Sequence, residues 1–482
     1  MPRSFVIPVL LLGLLSGCAS LAPEYQRPEA PVPASYPGGQ AGAVAGIRAV
    51  DIGWREFFQD PRLQALIETA LEHNRDLRSA VLNIEAARAA YNIQSAERLP
   101  SLDAQGSFSR GRTPATLSPT GQDRTTSQYQ VGLGIAAFEL DFFGRVSSLS
   151  EAALAEFLAT EEAARAAQIS LVAEVGRAYL AERAFAEQLE LARQTLAARE
   201  DSLRLVRQRF EAGAASALEL WQAETLVESA RVSVAALERQ QAQAGNALAL
   251  LVGAPLAQLE LPAPLPLSQL SVLTDIPPGL PSELLVQRPD IRAAEQRLIS
   301  ANANIGAARA AFFPRITLTG TVGTASTELS DLFGSGSGLW SFMPQITVPI
   351  FNSGRNRAAL ALAEVRRHQA VADYERTIQQ AFREVADALV ARASLERQLA
   401  AQERLLAAQR ERLRLAQQRY ESGVADYLEV LDAQRELFAA EQALVETRQL
   451  RLQNAIDFYR AAGGGLLERS AESGRMSETD AG

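Results

Sequence analysis

A mainly helical fold that also carries four β-strands of membrane-crossing length, built from one unit present twice, is what this 482-residue sequence predicts. Three observations predict it. The phrase "RFEAGAASALELWQAE" at 209–224 returns as "RYESGVADYLEVLDAQ" at 419–434, a shift of 210 residues. The stretches 146–210 and 356–420 contain no proline, as long uninterrupted helices require. In front of each stands a pair of segments in which apolar and polar residues alternate, the period of a strand with two unlike faces.

The first element is an export segment. "MPRSFVIPVLLLGLLSGCAS" has a basic residue at Arg3 and an apolar run from Phe5 to Leu15, too short to cross a bilayer as a helix. The run ends in LSGC, which resembles the bacterial lipoprotein cleavage and acylation box, with Cys18 as the lipidation site. Cys18 is the chain's single cysteine, so no disulfide forms within the chain. The residue after it is Ala19 rather than the Asp associated with inner-membrane retention, which favours the outer membrane. Residues 19–50 are rich in Pro, Gly and Ala and read as a tether.

From Asp60 the pattern turns helical. Asp60 caps the start, Pro61 occupies the first turn, and one long helix is expected to run to Pro100. The strands come next, at 101–110 and 129–140, around a polar loop. Tyr129, Val131, Leu133 and Ile135 fall on one side of the second strand, with Gln130, Gly132 and Gly134 on the other. The second copy places strands at 315–323 and 339–350, where Trp340, Phe342, Ile346, Val348 and Ile350 share a face. Each strand is near the nine to eleven residues that cross a bilayer at a tilt. The helices that follow, Val146 to Phe210 and Asn356 to Tyr420, would each measure about 100 Å at about 1.5 Å per residue. Gly213 and Gly423 then interrupt each run, as the bend of a helical hairpin does.

Further landmarks fix the repeat. "RDLRSA" (75–80) matches "PDIRAA" (289–294) and Pro100 matches Pro314, both shifted by 214; "ELDFFGRV" (139–146) corresponds to "PIFNSGRN" (349–356), shifted by 210. The chain therefore divides into a signal peptide (1–17), a lipidated tether (18–59), a first repeat (60–253), a proline-rich linker (254–287), a second repeat (288–463) and a flexible tail (464–482).

Composition narrows the function. The formal net charge is −9 and no basic patch stands out, which argues against nucleic acid as a partner. Aromatics make up 6% of the chain, fewer than compact enzymes usually carry. The two histidines, His73 and His368, lie in different copies without cysteine partners. No nucleophile triad, metal-ligand spacing or phosphate loop appears, so neither enzyme activity, a metal nor a cofactor is expected.

Four membrane-length strands leave two unpaired sheet edges, and backbone groups without partners in lipid cost several kcal/mol each. One chain cannot close a barrel by itself. Two copies would give eight strands, a size that side chains fill, whereas three give twelve and leave a lumen, so a trimer sharing one barrel is favoured. The last helix carries two apolar seams. Val424, Leu428, Leu431, Arg435, Phe438, Gln442 and Val445 form one, and Tyr427, Val430, Gln434, Leu437, Glu441 and Leu444 the other. Two seams suit a helix with a neighbour on each side. A third stripe, Ala425, Glu429, Asp432, Glu436 and Ala439, is small and acidic, as expected of a water-facing side.

The LSGC box, "PEYQRPEAPVP", "WREFFQDPRLQALIETALEHNRDL", both strand pairs and the two RF/RY-E-x-G bends together resemble the outer membrane factor family of TolC-like efflux channels, in its lipoprotein NodT-type branch. The resemblance covers essentially the whole mature chain. It implies a homotrimer with a twelve-stranded outer-membrane β-barrel continued by a twelve-helix periplasmic tunnel, a passive conduit in a tripartite efflux system. The implied partners are a periplasmic adaptor protein, an inner-membrane pump of the resistance-nodulation-division type and outer-membrane lipid. Two copies in each of three chains approximate sixfold symmetry, which gives the repeat a reason.

The copies differ where the resemblance places the periplasmic mouth. Leu428, Glu429, Asp432 and Arg435 stand where the first copy has Leu218, Glu219, Gln222 and Thr225. The resemblance implies a gate: an apolar ring at Leu428, acids at Glu429 and Asp432, and a base at Arg435. Three chains would gather about six carboxylates, and such crowding raises carboxylate pKa values and attracts cations. The competing reading of Asp432 and Arg435 is an exposed helical ion pair worth about 0.3–0.5 kcal/mol. The bends, with Gly213, Ser216, Gly423 and Ala425, are the expected docking surface for the adaptor; as bare turns they would need only glycine's backbone freedom. Two alternatives to a channel are a periplasmic adaptor, which would have one hairpin and no membrane-length strands, and a structural coiled-coil lipoprotein.

Overall fold

The computed structural model describes residues 20–36, 47–119, 121–274, 276–277 and 281–470. Cys18 and the export segment lie outside them. The elements run α1 (Trp54–Phe57), α2 (Pro61–His73), α3 (Arg75–Ala96), β1 (Asp103–Thr113), β2 (Arg124–Leu140), α4 (Arg145–Glu211), α5 (Ala217–Val252), α6 (Pro281–Gln287), α7 (Pro289–Ala310), β3 (Arg315–Ser326), β4 (Gly338–Thr347), α8 (Arg355–Glu421) and α9 (Tyr427–Ala461). The expected helix, strand, strand, long helix, bend, helix order is present twice. The two long helices have the same length, 67 residues each. Among the described residues no helix is long and apolar enough to cross a membrane.

Two units divide the chain. The first holds the strands, with residues 83–161 and 293–374 and the N-terminal residues to 29. Its four strands form one antiparallel sheet in the order β1-β2-β3-β4, so β1 and β4 are its edges. The register lines Leu133 up with Ala104 and Val322, and Val322 with Trp340; Leu140 faces Ile316, which faces Ile346. One face is thus apolar from edge to edge. The other carries Gln105, Ser107, Gln130, Thr317, Thr319, Thr321, Ser341 and Gln345, with Thr321 and Ser341 hydroxyls 2.6 Å apart.

One feature of β2 departs from simple alternation. The register shifts between Ile135 and Phe138, where Ala137 has a φ of 50°, so a bulge absorbs one residue. Phe138 and Leu140 therefore rejoin the face of Tyr129, Val131, Leu133 and Ile135 instead of turning to the polar side. Those six residues stand opposite Ser326 to Ile316 of β3, five two-residue steps on that unbulged strand. This is about 33 Å of strand, or about 25 Å of depth at the tilt of about 40° usual in membrane barrels, the height of a lipid-facing band.

The second unit holds residues 30–82, 162–292 and 375–482. Phe57 stacks on Tyr459 at 4.0 Å between centroids, with Phe58 edge-on to Phe57, and all three are buried. Asp60 caps α2 as expected, accepting from the Arg62 amide at 2.9 Å. The single long helix expected from Asp60 to Pro100 is instead two. Asn74 is extended (ψ 130°) and starts α3, its Oδ1 accepting from the Leu77 backbone N–H while its Nδ2 donates to Leu251 O and its own backbone N–H closes α2 on Ala70 O. A residue that caps one helix and ends the other outcompetes one more helical residue.

Two segments expected to be loose are held. Residues 20–27 run along α7: Arg309 donates to Leu21 O, Asn302 to Pro23 O at 2.7 Å, and Glu295 accepts from Tyr25 and, twice, from Arg27. Residues 309, 302 and 295 are seven apart, two helical turns, so they form one stripe. Beyond Gly463 the chain turns back and is fixed to α1, with Trp54 N donating to Leu467 O and Arg55 to Glu468. The tail is therefore anchored through residue 470, because its backbone supplies acceptors that the start of α1 lacks.

Candidate functional site

The two bends share one geometry. In the first, Gly213 (φ 75°) donates to Phe210 O and Ala214 donates to Arg209 O at 2.7 Å. In the second, Gly423 (φ 71°) donates to Tyr420 O and Val424 to Arg419 O at 2.9 Å. This pair of bonds is the Schellman motif, which satisfies the last carbonyls of a helix and needs a left-handed residue at the glycine position. The helix after each bend starts differently. Ser216 forms a capping box with Glu219, each side chain accepting from the other's amide. Asp426 occupies the matching position with no side-chain cap bond, and Glu429, the counterpart of Glu219, reaches instead to Arg419 at 3.3 Å.

The hairpins pack against one another through a core of Leu203, Val206, Val227, Tyr427, Val430 and Leu431. Arg209 of the first hairpin donates to the Tyr420 hydroxyl of the second and lies over its ring, 5.1 Å from the centroid. Burial pushes the phenols of Tyr427 and Tyr420 up from their ordinary values. Val424 and Leu428, at the start of the first seam, are left exposed, as are Leu218 and Trp221 of the first hairpin.

Leu428, Glu429, Asp432 and Arg435 fall within the first three turns of α9. Asp432 joins Arg435 at 2.6 Å through one oxygen and Arg412 of α8 through the other. The helical ion pair named as the competing reading therefore exists, and a second pair crosses the hairpin beside it. All three acids of the stripe are half-buried rather than freely water-facing: arginines on α8 reach over to Glu429 and Asp432, and Arg435 pairs with Glu436. Arg412 and Arg419 were not singled out from the sequence. Arg412 has a usable signal: its counterpart 210 residues earlier is Ser202, so the second copy gains a base opposite the acid it also gains. Arg419 has none, since the first copy keeps the matching Arg209.

A second candidate site lies within the strand unit itself. Among the described residues the outward backbone of β1 and of β4 has no strand partner. Trp340, Phe342 and Ile346 are each more than 60% exposed on the apolar face, a patch that water alone would not cover.

The model of outer membrane efflux proteins matches residues 66–254 and 280–464, the two repeats in turn. Outer membrane protein OprJ of Pseudomonas aeruginosa is 51% identical over 466 residues, 96% of this chain and 97% of its own length. Solvent efflux pump outer membrane protein SrpC of Pseudomonas putida is 50% identical over 463 residues, 95% of this chain and 98% of its own. Among solved structures, the open state of the Neisseria gonorrhoeae MtrE outer membrane channel superposes with a TM-score of 0.85 at 44% identity, covering 94% of this chain and 100% of that one.

Proposed function

This chain belongs to the outer membrane efflux protein family, and from that membership we propose that it is the outer-membrane conduit of a tripartite efflux system, working as a homotrimer. The family is one of transport channels, and its members named above are outer membrane proteins. The observation that carries the reading is the open sheet with one apolar and one polar face. Three copies joined β4 to β1 pair every strand edge, put the apolar band in lipid and line a lumen with Gln, Ser and Thr.

In this reading Leu428, Glu429, Asp432 and Arg435 narrow the periplasmic mouth, and the bends at Gly213, Ser216, Gly423 and Ala425 receive the helical tips of an adaptor. The adaptor links the channel to an inner-membrane pump of the resistance-nodulation-division type. Acylated Cys18 adds a lipid anchor to the barrel. Relatives named for solvent and toluene efflux support small apolar organic compounds as cargo.

The test is the purified, lipid-reconstituted protein. It should migrate as a heat-modifiable trimer and give discrete ion-conducting events in planar bilayers. A monomer with its strands open to water, or a trimer that conducts nothing even with the gate residues truncated, would sink the proposal.

A further inference from the structure

The apolar face of β1 and β2 ends before the strands do. Phe108 and Tyr129 are directly paired, with ring centroids 4.6 Å apart, at the end of the band remote from the helices. An aromatic pair at this position has the character of a membrane-interface girdle. The same face then continues for two more rows, with Arg110 opposite Ser127 and Arg112 opposite Thr125. Side chains two apart on a strand share a face about 6.7 Å apart, so both guanidiniums leave the sheet on the lipid side, just beyond the aromatic row. Arg112 pairs with Asp123, which is also engaged by the Ala115 amide at 2.8 Å. Arg110 is exposed and has no carboxylate partner among the described residues.

Of the three arginines at this end of the hairpin, Arg124, opposite Thr113, is on the polar face, and Arg110 and Arg112 share the apolar one. Two arginines stacked above an apolar column, one of them without a carboxylate, match an anion held at a fixed depth. Guanidinium is suited to phosphate because its N–H groups form a planar fork. We propose that the β1–β2 hairpin binds the phosphates of the glycolipid that forms the outer leaflet of a Gram-negative outer membrane, lipid A, through Arg110 and Arg112 while the acyl chains lie against Phe108, Tyr129 and Val131. The assignment rests on the outer-membrane barrel reading above. It adds a lipid site on the outside of the wall, independent of the conduit and its gate.

The experiment uses the full-length trimer in detergent, titrated with diphosphorylated lipid A, the same lipid stripped of phosphate, phosphatidylglycerol, and inorganic phosphate, with bound lipid read by native mass spectrometry. Diphosphorylated lipid A should bind in preference to all three. Its affinity should fall about fivefold for each of Arg110→Ala and Arg112→Ala, the share of one surface cation near anionic lipid, and Arg110→Lys should recover part of the loss. The variants should stay trimeric and conduct like the parent, which separates this proposal from the channel reading: parent protein that fails to conduct counts against the channel, not the lipid site. Equal binding of the phosphate-free lipid would reduce the contact to acyl adhesion and overturn the site. So would full affinity in the doubly substituted trimer. Phosphatidylglycerol binding as tightly as lipid A would overturn the outer-leaflet assignment.

Discussion

Gly132 of β2 and Gly323 of β3 face each other across the ladder with no room for a methyl group on either. A Cβ on Gly323 would lie 2.2 Å from Val131 O and 2.5 Å from Gly132 Cα, and one on Gly132 would lie 2.6 Å from Val322 O. The two strands lean together on the polar face at this pair, so a side chain there must push backbone rather than a flexible group. Gly323→Ala should destabilise the sheet by about 1–3 kcal/mol, the usual cost of overpacking. The yield of heat-modifiable trimer measures it. Gly106→Ala is the control, because its Cβ would meet only Val131 Cγ2, at 3.9 Å; equal losses from both substitutions would contradict the close approach.

Truncating the aperture should open it. Leu428→Ala with Asp432→Ala removes the exposed apolar side chain and the carboxylate shared by Arg412 and Arg435. Single-channel conductance should rise. Arg412→Ala alone should give part of the same increase, since it frees α9 from α8 at this point. Each exposed pair is worth only about 0.2–1 kcal/mol and is screened by salt, so raising ionic strength should shrink the difference between parent and Arg412→Ala. An unchanged low conductance in the double variant would remove the gate assignment.

Much of this architecture was legible because its signals are periodic. Four alternating runs, two proline-free stretches and two glycine bends each repeat a pattern that only one backbone form satisfies. The missed features are single events. The bulge at Ala136 and Ala137 leaves no mark in "GIAAFEL", since two alanines fit either face. The break at Asn74 depends on Leu251 O, which is 177 residues away. The course of residues 20–27 depends on Glu295, Asn302 and Arg309, a stripe that gains meaning only once a partner segment lies beside it. The proposed gate shows the same limit: unequal copies marked Asp432 and Arg435, but pairing with Arg412 is a property of the packed hairpin.

The strap on α7 should loosen in alkali. Burial, together with the Glu295 carboxylate beside it, pushes the Tyr25 phenol up from its ordinary value. A folded-state pKa above the unfolded one means the folded chain holds that proton more tightly. The stabilisation is therefore full below about pH 10, the ordinary tyrosine range, and is lost as pH rises through the raised value. Proteolysis within residues 20–36 should stay slow to about pH 10 and accelerate above it. Arg27→Ala leaves the buried Glu295 with Tyr25 alone and should speed the same cleavage at neutral pH, by an amount equivalent to about 1–3 kcal/mol of lost charge-assisted bonding. If neither alkali nor Arg27→Ala changes cleavage, the clasp does not hold the segment.

The two bends should also respond unequally to loss of their caps, even though both carry the same glycine turn. Ser216→Ala breaks a complete capping box and should destabilise the start of α5 by about 1 kcal/mol. Asp426→Ala removes a side chain that makes no cap bond and should cost less in the same assay. Hydrogen exchange of the first-turn amides after each bend reads this directly. If the bends also receive an adaptor, cysteines placed at Ser216 and Ala425 in a Cys18-free background should cross-link to it in cells, and the exposed Leu218, Trp221 and Val424 should become protected. Cap loss without any cross-link at either position would leave the glycine phrases as turns alone.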